Sequence, residues 1–171
     1  MADYVKDVSN VGLLLDVMKE ITSFEIHVGI QADEDSKILM IAHVNEFGFQ
    51  IKVTDKMRGY LGATGLHLKP ETTHINIPER SYIRGGYDAN KAKMERIIEE
   101  LLEQVVLMKI SVSQFQNRIG IECVRFIQEF MTDLSSPEKH PYTVDKNGGK
   151  TNPLIDTGEL REKITYKVVK K

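Results

Sequence analysis

The sequence predicts an α+β fold: a small, mainly antiparallel β-sheet packed against two long antiparallel α-helices, with short helices near the N-terminus. Three observations carry this. Apolar residues recur at helical spacing over two adjacent stretches, from Asp88 to about Met108 and from Val112 to about Met131. Short runs of alternating apolar and polar residues lie on either side of them. Finally, 171 residues of which 41% are hydrophobic suffice for one ordinary core and fall short of two, so a single domain over 1–171 is expected.

Leu13, Leu14, Val17, Met18 and Ile21 follow Ser9-Asn10, a pair able to cap, and predict a first helix to about Thr22 with those residues inward. Phe24, Ile26, Val28 and Ile30 then alternate with Glu25, His27, Gly29 and Gln31, the pattern of a half-buried strand. Asp33-Glu34-Asp35-Ser36 reads as a turn carrying an N-cap. The short helix from Lys37 to Phe47 is stopped by Gly48, which is free to take a positive φ. Phe49, Ile51 and Val53 form a strand, Thr54-Asp55 caps a brief helix through Leu61, and Gly59, Gly62 and Gly65 loosen the backbone. Leu66 and Leu68 suggest further strand, and Thr73, Ile75 and Ile77 form another, ended by Pro78.

Met94, Ile97, Ile98, Leu101, Leu102, Val105 and Met108 trace one face of the first long helix, with Lys91–Glu95 and Arg96–Glu100 as i,i+4 pairs opposite. Val112, Phe115, Ile119, Cys123, Phe126, Ile127 and Phe130 trace the second. Between them Ile110-Ser111-Val112-Ser113 is poor helix sequence, which places a tight connection there and an antiparallel pairing of the helices over the strands. From Leu134 to Asn152 the character changes: Ser135-Ser136-Pro137, His140-Pro141 and Asn147-Gly148-Gly149 crowd together. This polar loop, at about 135–153, is expected to be mobile or ordered only by a partner such as a neighbouring subunit. Leu160 then packs inward, and Ile164 opens a last strand through Val169.

A net charge of −2 offers no general attraction to phosphate polymers, although Arg161, Lys163, Lys167, Lys170 and Lys171 gather at the C-terminus against Glu162. The single cysteine, Cys123, is read as a small buried hydrophobe in a reducing compartment. Met1 to Asp7 lack a secretion signal, and no stretch of about 18 apolar residues is present, so neither export nor a membrane span is expected.

Enzymatic chemistry finds little to work with. The five histidines, His27, His43, His67, His74 and His140, show no metal-ligand spacing. His43 and Glu46 are read as a surface pair on one helix. Gly149-Lys150-Thr151 lacks the glycine that a phosphate-binding loop needs at Val144, and no Gly-x-Ser-x-Gly turn occurs. Arg80, Tyr82, Arg84 and Tyr87 cluster as bases might require, but packing is the reading preferred. Asp156-Thr157-Gly158 after Leu154-Ile155 matches an aspartic-protease signature, which demands two facing carboxylates, hence a homodimer, and further strands after the motif. With thirteen residues following Gly158, the preferred reading is a turn in which Asp156 or Thr157 caps a short helix, Glu159 near its positive end. No catalytic residue, cofactor or metal is expected. A dimeric protease using Asp156 and a DNA-contacting adaptor using Lys163, Lys167, Lys170 and Lys171 stand as the rival readings.

Three blocks taken in order carry a resemblance: Ile41-Ala42-His43-Val44-Asn45-Glu46-Phe47-Gly48, then Ile77-Pro78-Glu79-Arg80-Ser81-Tyr82-Ile83-Arg84, then Leu154-Ile155-Asp156-Thr157-Gly158-Glu159-Leu160. From about Phe24 to Val169 the chain resembles the tailed-phage virion morphogenesis proteins of the tail-completion and head-tail joining group. Ser81-Tyr82 stands where Pro-Phe is usual, and the region from Lys52 to Thr73 is longer than in the shorter members. The resemblance implies a non-enzymatic structural protein of the virion neck, made in the bacterial cytoplasm. It also implies a homo-oligomeric ring whose partners are tail-tube or head-connector proteins, with at most incidental contact to DNA in the lumen and none to membrane. The residues it singles out are Asn45, Glu46, Phe47, Gly48, Pro78, Arg80, Arg84, Asp156, Thr157, Gly158, Leu160 and Arg161. Arg80 and Arg84 are expected on an exposed turn, where a guanidinium fork meets a neighbour's carboxylate or carbonyl.

Overall fold

The computed structural model describes residues 10–171; the expected absence of an export signal at Met1–Asp7, and the capping role of Ser9, lie outside the described residues. Seven helices and four strands are described: α1 Val11–Ile21, β1 Phe24–Gly29, α2 Ser36–Phe47, β2 Phe49–Lys52, α3 Asp55–Ala63, β3 His74–Ile77, α4 Ile83–Val106, α5 Val112–Asp133, α6 Pro141–Lys146, α7 Glu159–Glu162 and β4 Thr165–Lys170. The fold is α+β, with α4 and α5 packed antiparallel. The strands form two separate antiparallel ladders where one small sheet was expected. β1 pairs with β4, Ile26 opposite Val168, and β2 with β3, Ile51 opposite Ile75.

The α4–α5 turn is built by local chemistry. Leu107 closes α4, Met108 takes a φ of 55°, and Ser111 opens α5 with a reciprocal capping box, its Oγ accepting from Gln114 N while Gln114 Oε1 accepts from Ser111 N. Core residues then divide along the helix pair. Leu101, Val105, Val112, Phe115 and Ile119 form one cluster, with Val17, Ile21, Phe24 and Ile26 leaning on it. Ile38, Tyr82, Ile127, Met131, Leu154, Leu160 and Ile164 form the other. The β1–β4 ladder sits on α5 at Gly120. A Cβ there would collide with the ring of Tyr166, whose hydroxyl donates to Asn117 Oδ1 at 2.6 Å.

Several sequence expectations are corrected. α4 begins at Ile83, running through Gly85-Gly86, rather than at Asp88. Gly86 sits against Ile127 of α5, so the small residue serves helix packing. Gly59 and Gly62 lie inside α3, and Leu66 and Leu68 belong to no strand. On α1, Leu13 and Met18 face solvent while Val17 and Ile21 pack inward. The segment expected to be mobile or to order only on a partner carries α6 and is tied to its own chain. Asn152 Nδ2 donates to Thr132 O at 2.8 Å, and Tyr142 Oη donates to Thr64 Oγ1 at 2.7 Å.

Candidate functional site

Glu46 organises the junction where the first two sequence blocks meet. It lies at the end of α2 and is 5% exposed, so its carboxylate must be satisfied by protein groups. Those groups come from the start of α4. Oε2 accepts from the backbone N–H of Tyr82 and of Ile83, both at 2.9 Å. Oε1 accepts from Ser81 Oγ at 2.7 Å, Arg84 N at 3.1 Å and Arg84 Nε at 3.0 Å. A helix leaves its first N–H groups unpaired and positive, and no side chain at Tyr82 caps α4, so Glu46 caps it from another element. Burial by itself would raise the carboxyl pKa; the hydrogen bonds from Ile83 N, Ser81 and Arg84 outweigh it and hold Glu46 below its ordinary value.

The rest of both blocks is folded around this contact. Arg84 Nη2 donates to Glu46 O and to Glu79 Oε1, each at 2.8 Å, and its guanidinium lies 4.7 Å from the centre of the Phe47 ring. His43, one turn earlier on α2, lies against Phe47 with the ring centres 4.8 Å apart and the planes tilted by 44°. Asn45 O accepts from Arg80 N at 2.7 Å. Gly48 follows with φ 70°, its Cα side pressed against Glu79 N and Ile77 O, and Pro78 ends β3 beside it. Only a residue without a Cβ fits there.

Arg80 is 8% exposed and spends its guanidinium on backbone carbonyls, Nε to Pro137 at 2.7 Å and Nη2 to Glu138 at 2.9 Å. Burial lowers its pKa. Thus Arg80 and Arg84, expected to reach a neighbouring subunit, find partners within their own chain. Tyr82 is 0% exposed, and its hydroxyl has no hydrogen-bond partner among the described residues; burial first, then the Glu46 charge, push its pKa up. Within the Arg80-Tyr82-Arg84-Tyr87 cluster, Arg80 and Tyr82 are therefore buried in packing, while Arg84, held by Glu46 and Glu79, and Tyr87 stay exposed. The surface-pair reading of His43 and Glu46 is overturned by the burial of Glu46.

The third block joins the same core through Leu154 and Leu160. Gly158, at φ 91°, is the residue that opens α7, and Thr157 Oγ1 accepts from Glu159 N at 3.3 Å. Asp156 does not cap. Its carboxylate is exposed 3.8 Å from Lys150 Nζ, which also donates to Asp156 O at 2.6 Å. Arg161 is exposed and contributes its carbonyl to Gln128 Nε2 at 3.0 Å. Of the C-terminal lysines, Lys163 pairs with Glu34 at 2.9 Å, which raises its pKa, and Lys171 lies 4.0 Å from Glu25. Among the described residues no three His, Cys, Asp or Glu side chains are placed to hold a metal, and no helix is long and apolar enough to cross a membrane.

Sequence reasoning missed the cap itself. A glutamate near the end of a mixed helix, together with a later segment whose first helical turn has no acidic residue, is the signal available for it. No protein-family model matches the chain, and no significant match is found among curated proteins or solved structures.

Proposed function

We propose that this chain is a non-enzymatic structural protein of a tailed phage or prophage particle, acting at the neck, where rings of identical subunits complete the tail or join it to the capsid. One observation carries the reading. The blocks through which the sequence resembles tail-completion and head-tail joining proteins serve a single architectural purpose: Glu46 of the first caps the helix begun by the second, and Leu154 and Leu160 of the third fill the core beside Tyr82. Five hydrogen bonds occupy the Glu46 carboxylate, which leaves it no role as a base. Asp156, exposed beside Lys150, is suited to holding a turn.

A head-to-tail contact closes into a ring when its rotation closes, which suits a protein that must encircle DNA between capsid and tail. Tail-tube and head-connector proteins are the expected partners, in the virion and, during assembly, in the host cytoplasm.

The test is disruption of the coding sequence in the phage or lysogen. The expected result is DNA-filled capsids and tails that accumulate unjoined, with joining restored by the wild-type chain and by Asp156→Asn. Normal yields of infectious particles from the disrupted strain would overturn the proposal. Failure of Asp156→Asn to complement, together with acid proteolysis by the purified wild type, would transfer the assignment to a dimeric protease.

A further inference from the structure

From Phe49 to Glu79 no residue is buried. This stretch of β2, α3 and β3 is an arm rooted at the Glu46 junction, braced internally by Arg58, which donates to the carbonyls of Leu68, Lys69 and Thr72 at 3.2, 2.7 and 2.7 Å, and touched from α6 by the Tyr142–Thr64 bond. A two-stranded ladder is marginal alone in water. Here Ile51 and Ile75 face each other across it only half-buried, and Phe49 is 54% exposed.

The helix layer has the opposite shortage. Packed helices lie about 8–10 Å apart and paired strands about 4.8 Å, so a two-helix layer has room for roughly four strands. The β1–β4 ladder supplies two, seated on α5. Among the described residues β1 is paired with β4 alone, which leaves its other edge without a ladder. Beside it runs a groove of about 520 Å³ lined by Ile26 and Val28 of β1, Met94 and Ile98 of α4, and Cys123 and Ile127 of α5. An apolar groove along an unpaired strand edge is the setting in which an added strand binds.

We propose that the arm of a second copy of this chain fills this groove, its β2–β3 ladder continuing the β1–β4 ladder over α4. Charge favours the pairing. The two arm strands carry Lys52 and no carboxylate, while the groove rim carries Asp88 and Glu95 against Lys91, its remaining cation Arg84 being held by Glu46 and Glu79. The ribbon brings no long helix beneath it to collide with α4. Because arm and groove are different surfaces, the contact is heterologous and repeats from subunit to subunit. This inference rests on the self-assembling reading above and assigns its interface.

Sedimentation velocity of the purified chain tests it, with Phe49→Asp disabling the arm and Ile98→Asp the groove. Both residues are surface-exposed, and Phe49→Ser or Ile98→Ser replaces either variant should its thermal melt depart from wild type. The wild type should form multimers and each variant only monomers. An equimolar mixture of the two variants should stop at a dimer, since one intact arm then meets one intact groove. In addition, Ile51→Cys should oxidise to an intermolecular disulfide with the native Cys123 of the next copy, and the Cys123→Ser background should abolish it. Multimers that persist in both variants would overturn this interface while leaving self-assembly standing, and a mixture that stays monomeric would overturn the pairing. A wild-type chain monomeric at every concentration would overturn both.

Discussion

The Glu46 carboxylate and the Arg84 guanidinium meet at 3.0 Å between the end of α2 and the first turn of α4, and the same carboxylate accepts three backbone N–H groups of that turn. One side chain therefore sets the angle between two helices that are distant in sequence and fixes the root of the arm between them. Removing it strands several donors at once. Glu46→Ala is expected to cost about 3 kcal/mol, and Glu46→Gln less because one amide oxygen still accepts, as read from urea denaturation midpoints.

The pH dependence follows from the lowered Glu46 pKa. A carboxyl depressed on folding contributes stability that is fully present above its unfolded value, near 4.5, and is lost as pH falls through the lower folded value. The stability difference between wild type and Glu46→Gln should thus be constant above about pH 5 and shrink below pH 4.5. Denaturant midpoints measured for both chains from neutral to acid pH check it; a difference that grows on acidification would contradict the assignment.

Arg80 joins α4's approach to the segment after α5 through two carbonyls. Lysine cannot reproduce that planar fork, so Arg80→Lys should retain little of the effect, and Arg80→Ala should cost about 2 kcal/mol. Hydrogen exchange should accelerate first in α6, Pro141–Lys146.

Tyr82 carries an unpartnered buried hydroxyl. Tyr82→Phe keeps the ring and removes the polar atom, so the variant should equal the wild type or gain about 1 kcal/mol in the same denaturation assay.

Gly120 admits Tyr166 where a methyl group would collide. Gly120→Ala should therefore destabilise by about 2 kcal/mol and loosen β4, and Tyr166→Ala in the same chain should recover part of the loss, a coupling that a double-mutant cycle measures.

Much of the scaffold was legible because its signals are local. The 3.6-residue period exposed α4 and α5, the poor helix sequence at Ile110-Ser111-Val112-Ser113 marked the connection between them, and Gly48 marked the end of α2. What escaped depends on residues far apart in the chain. Gly85-Gly86 reads as a helix breaker unless Ile127 is known to lie against it, and the start of α4 looks uncapped unless Glu46 is known to reach it. The division into two ladders was likewise hidden, because alternation reveals a strand's faces and says nothing of its partner. At the candidate site, the blocks around Glu46 and Arg84 meet at one junction, and Leu160 lies in the core beside Tyr82. The direction of Arg80 and Arg84, inward to their own chain, was not legible.

The most direct measurement of the central claim is electron microscopy of purified particles carrying a compact tag fused after Lys171. A ring of extra density at the junction of capsid and tail is the predicted result. Purified, infectious particles that lack the tagged chain altogether would contradict the account.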